Sequence, residues 1–185
     1  IPKCYTYMDM EAAGESGINR LHDHPYLKLR GKGTAVAVID SGIDYFHPDF
    51  RNEDGTTRII RLWDQVQNRV YTEAEINEAL AAGSRSEALR FVNSVDTSGH
   101  GTAVAGIAAG NGRESGGRYR GVAYESSIMA VRLGTSLADG FPRTTQLMRG
   151  LDAVARTAME LGLPTAVNLS FGNTYGSHDG TSLLE

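Results

Sequence analysis

Two short segments carry residue types that could move a proton if the fold brings them together. In TAVAVIDSGID (34–44) a β-branched apolar run closes on Asp40 followed by Ser-Gly; in DTSGHGTAVAGIAAG (96–110) His100 sits between two glycines where a helix begins. A carboxylate at a strand end can orient an imidazole, fix its tautomer and stabilise the imidazolium that forms during acyl transfer. Each residue also has a plainer role: Asp40 can cap the next turn through an Asx hydrogen bond, and His100 can pack or cap its helix. The start of a helix disfavours a cationic imidazole unless a carboxylate offsets the dipole, which makes the pairing more than the sum of its parts. Asp40 is the candidate for that carboxylate.

A third segment, NLSFG (168–172), reads either as a strand running into a glycine turn or as an edge whose N–H and C=O groups add an extended peptide to a sheet.

The elements that must position these residues follow from pattern. Residues 34–39 (TAVAVI), 127–133 (SIMAVRL) and 165–171 (TAVNLSF) read as buried strands. A helix follows His100. A second spans Thr144 to Leu161, with Leu147, Leu151, Val154, Ala155 and Ala158 on one face and Gly162-Leu163-Pro164 ending it. Strands alternating with helices predict an α/β fold with a parallel sheet flanked by helices. In such sheets ligands gather at the carboxyl ends of strands, where Asp40 and Ser170 both lie. The polar stretch 61–95 reads as a surface insertion holding one short helix, with a capping box at Thr72 and Glu75, a stop at Gly83, and Trp63 anchoring it. The stretch 110–121 (GNGRESGGRYRG) reads as an exposed loop.

Composition narrows the classes. With 185 residues, 41% of them hydrophobic, the chain fits one domain (1–185) with a sizeable core. The net charge of −4 and the lack of a basic arm argue against nucleic acid, and no apolar stretch approaches the ~18 residues of a membrane span. Cys4 is the single cysteine, so neither an internal disulfide nor a cysteine-built zinc site is possible. The first residues, IPKCYTYMDM, read as a trimmed or matured end. His22-Asp23-His24 reads as solvated rather than as a metal pair, for want of a third ligand.

Taken in order, VIDSGID, GHGTAVAG and NLSFG resemble the aspartate motif, the histidine motif and the pocket-lining strand of the subtilisin-like serine proteases, with HPDF (47–50) and GVA (121–123) also family-like. The resemblance covers roughly 33–60 and 96–172. It implies a subtilisin-like fold and a serine endopeptidase in which Asp40 orients the base and His100 acts as base, then as acid. It implies that Ser170, Phe171 and Gly172 carry one side of a peptide or protein substrate and the mouth of its pocket, with Gly140 and Phe141 on the opposite edge. It implies no cofactor for catalysis. A calcium site near Asp49 occurs in parts of the family, but the 110–121 loop offers no matching set of oxygen ligands, so a structural calcium is left open and not predicted. Two departures stand out: Ala103 occupies a position where the family often has a second histidine, and the aspartate-to-histidine interval is long. The insertion and the approach IPK…YLKLRGKG resemble the clostridial branch that includes spore-germination proteases, which suggests an extracellular or spore-associated setting without fixing one.

The family's nucleophile is a serine in a GTS context far downstream, together with an asparagine that completes the oxyanion hole. Ser182 lies in Gly180-Thr181-Ser182 but follows the pocket strand by ten residues, so it reads as a loop or N-cap serine. The expectation is that a C-terminal fragment of the same precursor, cut after Glu185 in a polar loop, supplies serine and asparagine, and that half of such a sheet does not fold alone. The rival is a subtilisin-like pseudoprotease that acts as a binding or activating partner. A phosphate or metal enzyme built on Asp40 and Asp44 would need a phosphate-cradling glycine loop or further strand-end carboxylates, which are missing.

Overall fold

The computed structural model describes residues 9–134, 142–170, 172 and 180. Two short helices, α1 (Asp9–Glu15) and α2 (Ile18–His22), precede the first strand, β1 (Ala35–Asp40). Then come β2 (Ile59–Asp64), β3 (Arg69–Thr72), α3 (Glu73–Ala81), α4 (Arg85–Phe91), α5 (His100–Ala109), β4 (Ser127–Arg132), α6 (Thr144–Leu161) and β5 (Thr165–Asn168). The strands form one sheet in the order β3-β2-β4-β1-β5. All neighbours are parallel except β3, which pairs antiparallel with β2.

Every residue of β1 is buried, because helices cover both faces of the sheet and a strand covered on both sides must be apolar throughout. The pleat sorts its side chains: Ala35, Ala37 and Ile39 join Met129, Val131 and Val154 beneath α6, whereas Val36 and Val38 join Ala105, Ala109 and Ile128 beneath α5. Asp40 continues the second set by the same alternation. Its side chain is thus delivered to the α5 side at the carboxyl end of the strand. Helix α5 lies close to β1 because its buried stripe is Gly101, Ala105 and Ala109, one small residue per turn.

Helix α6 has the bounds read from sequence, and Leu147, Leu151, Val154 and Ala158 pack as expected, but Ala155 is exposed at the edge of that face; its αL cap is Gly162. The stretch 61–95 differs from the expected surface insertion. It adds β3 and most of β2 to the sheet and contains two helices rather than one. Leu62, Tyr71, Ile76, Ala79, Ala88 and Val92 are all buried in the core on the α5 face. The capping box at Thr72 and Glu75 is present, and Trp63 is itself a strand residue, packed on the α6 face with the Arg149 guanidinium over its ring.

Candidate active site

Asp40 ends β1 with its side chain 3% exposed, and His100 opens α5 with its ring half exposed. His100 Nδ1 lies 2.8 Å from Asp40 Oδ1. A carboxylate only accepts, so Nδ1 carries the hydrogen and Nε2 keeps the lone pair, which is the tautomer a general base requires. The Ser41 amide donates to the same Oδ1 at 2.7 Å, while Oδ2 is buried and has no hydrogen-bond partner among the described residues. The carboxylate's interactions therefore converge on the oxygen that faces the imidazole.

Glycine makes the approach possible. A Cβ on Gly101 would overlap the carbonyl oxygen of Gly42 and stand 3.1 Å from Cβ of Asp40. Gly99, with φ +77, holds the left-handed turn that caps α5.

Sequence reasoning gave no role to the carboxylate that organises this turn. Asp96 Oδ1 accepts from Ser41 Oγ at 2.8 Å and from the amides of Gly99 and Ser98 at 2.9 and 3.2 Å. Its Oδ2 accepts from the Thr102 hydroxyl at 2.6 Å and the Thr102 amide at 2.9 Å. Ser41 Oγ in turn accepts from the Gly101 amide at 2.9 Å, and Thr102 Oγ1 from the Asp44 amide at 2.9 Å. Burial pushes the Asp96 carboxyl up, but the two bonds from Thr102, then those from Ser41 and Gly99, outweigh it and hold the group below the ordinary carboxylate range. The available signal was an acidic residue shortly before a glycine-capped helix, the kind of side chain that accepts from turn amides.

The other anticipated residues fall as follows. Strand β5 pairs with β1 as far as Val38 opposite Asn168. Ser170 is therefore two residues past the last pair, as Asp40 is past Val38. It is exposed, and its Oγ accepts from Asn168 Nδ2 at 2.8 Å. Gly172 is exposed beyond it. Gly140, Phe141, Phe171 and Ser182 lie outside the described residues. Asp44 is engaged elsewhere, its carboxylate 2.9 Å from the Arg85 guanidinium. His22 reaches the Val122 carbonyl at 2.7 Å, and His24 accepts from the Leu27 amide at 3.1 Å, so each of these rings serves backbone nearby.

The acceptors around Asp49 are engaged by donors of the chain itself. One carboxylate oxygen takes the Glu114 amide at 2.8 Å, and the Asp49 carbonyl takes the Asn111 amide and the guanidinium of Arg58. Arg58 is buried and also donates to the carbonyls of Ala109 and Ser126 at 2.7 and 2.6 Å, while Arg113 reaches the carbonyls of Asn52 and Glu53. Desolvation lowers the Arg58 pKa to about 10, against the opposing pull of Asp49 and Glu125. Guanidinium groups and amides thus engage the Asp49 carbonyl and one of its carboxylate oxygens.

The sequence model of the subtilase family matches residues 31–183. The chain is 30% identical over 154 residues to the minor extracellular protease Vpr of Bacillus subtilis, covering 83% of this chain and 16% of that protein. It is 31% identical over 137 residues to the serine protease AprX of the same organism, covering 72% and 25%. The structure of the Clostridium perfringens CspB protease superposes with a TM-score of 0.83 at 37% identity, covering 94% of this chain and 35% of that one. The chain thus spans between about a sixth and about a third of the length of these three relatives.

Proposed function

The chain belongs to the subtilase family, and on that premise we propose that it contributes the base half of a serine endopeptidase. The observation that carries this reading is the 2.8 Å contact between His100 Nδ1 and the buried Asp40 carboxylate, on a half-exposed ring whose Nε2 has no hydrogen-bond partner among the described residues.

In this reading a serine and an oxyanion-binding asparagine come from the C-terminal part of the same precursor, which completes the fold. His100 Nε2 takes the proton from the serine hydroxyl as it attacks the scissile carbonyl, and the Asp40 carboxylate stabilises the imidazolium so formed. The imidazolium then gives that proton to the departing amine. Water repeats the sequence to release the acyl group. Every catalytic group is a protein group, so the chemistry needs no cofactor. Ser170 and Gly172, just past the β1–β5 pairing, would border the substrate backbone as an added strand, with Phe171 at the pocket mouth and Gly140 and Phe141 on the facing edge.

The test is a fluorophosphonate probe applied to the whole protein, its C-terminal part included, followed by mass analysis of each polypeptide. The reading expects one adduct on a serine outside these 185 residues, lost in His100→Ala. An adduct on Ser182 would move the nucleophile into this segment. Absence of any adduct from folded wild-type protein would favour an inactive binding partner.

A further inference from the structure

We propose that Asp96 is a positioning residue for His100, which holds the imidazole in register with Asp40 and offsets the positive end of α5 beneath it. The inference rests on the reading of His100 as general base.

Three features carry it. First, Asp96 is joined to both sides of the Asp40–His100 contact. Through Ser41 Oγ it holds the turn that follows Asp40, and through the amides of Gly99 and Thr102 it holds the residues on either side of His100. Ser41 closes the loop by accepting from Gly101, so the two segments share one carboxylate and one hydroxyl as a clamp. Second, α5 has no acidic residue in its first turn and no basic residue in its last. Asp96 therefore supplies, from outside the helix, the negative charge that its N-terminus lacks. Third, the hydrogen bonds keep Asp96 ionised at working pH despite partial burial.

The charged neighbours on the other packed elements are accounted for. On β1, Asp40 faces the imidazole. On β4, the Arg132 side chain passes Gly42 but delivers its guanidinium to Asp64 of β2. Asp44 reaches the clamp through its amide to Thr102, its carboxylate being paired with Arg85 of α4. Asp96 is the acid whose bonds bracket His100 in sequence.

Asp96→Asn keeps the shape and one acceptor oxygen but removes the charge. An imidazolium at a helix N-terminus then loses a compensating anion, so the acid limb of kcat/KM moves to lower pH by about 0.2–0.7 unit. Misplacement of the base lowers kcat at least about tenfold with KM within about twofold. Both are read with a peptide substrate on the whole protein. Should Asp96→Asn not fold, Thr102→Val removes one donor and Thr102→Ser restores it. The first lowers kcat and the second returns it to the wild-type value. Wild-type kcat with an unmoved acid limb in Asp96→Asn would overturn the proposal, even if the thermal midpoint dropped. So would wild-type kcat in Thr102→Val. Wild-type protein that neither hydrolyses peptide nor takes up the fluorophosphonate would instead overturn the protease reading itself.

Discussion

Arg132 Nη1 lies 2.9 Å from Oδ2 of Asp64, an ion pair across the carboxyl ends of β4 and β2 whose carboxylate is fully buried. The same register sets Asp40 on the other side of Arg132. Asp64 also accepts from the buried Ser94 hydroxyl at 2.7 Å and from the amides of Val66 and Gln67. The far end of the 61–95 stretch is thereby returned to the carboxyl end of β2, one strand removed from β1.

Asp64→Ala leaves the Arg132 guanidinium without its carboxylate partner and orphans a hydroxyl and two amides, so it should destabilise the fold by about 3–5 kcal/mol. Denaturant midpoints of the intact protein measure this. A loss of less than about 1 kcal/mol would mean that the buried pair is dispensable.

Gly101→Ala should be worse than its one added methyl suggests. The Cβ would press on Gly42 and Asp40, where backbone cannot yield, at a cost of about 1–3 kcal/mol. Activity should fall further than stability, since α5 must back away from β1 and carry His100 with it. Gly106→Ala is the control: its Cβ meets nothing outside its own helix, and about 0.5–1 kcal/mol of stabilisation is expected. Thermal midpoints with peptide hydrolysis distinguish the two.

Stability should fade at both ends of the pH range for different groups. The depressed folded pKa of Asp96 gives a contribution that is present above its unfolded value of about 3.9 and is lost as pH falls through the folded value. The thermal midpoints of wild type and Asp96→Asn should therefore converge on acidification. At the alkaline end, burial first, with Asp44 and Tyr71 adding to it against Arg85, raises the Tyr45 phenol to about 12. Its hydroxyl donates to the Val92 carbonyl at 2.9 Å. A raised folded pKa gives stability that is full below the unfolded value of about 10 and is lost as pH rises through the folded value. Tyr45→Phe should start lower at neutral pH and lose less between pH 10 and 12 on this ground. Parallel profiles would contradict it.

What the sequence made legible was local. The strand ending in Asp40, the glycine-flanked His100, the amphipathic α6 and the Thr72 capping box are each written within a few residues, by period or by cap chemistry. Strands β2 and β3 were not legible, because Arg61 interrupts the apolar run of β2 and β3 has only four residues. The place of β2 in the sheet is decided by β4, more than fifty residues on, and β3 joins only through β2. The importance of Asp96 was hidden for the same reason: the bond that ties it to the other segment comes from Ser41, 55 residues away. An aspartate that caps its own turn and one that bridges two distant segments look identical in a linear string.

That Asp40 and His100 work as one unit is tested most directly by kcat/KM of Asp40→Ala, His100→Ala and the double variant in the whole protein, with folding checked by circular dichroism. Each single variant should lose at least about 10³-fold, and the double should be scarcely worse than His100→Ala, because the carboxylate has no function once the imidazole is gone. Retention of activity within about tenfold in His100→Ala, or losses that multiply in the double variant, would contradict the assignment of this pair as base and orienting acid.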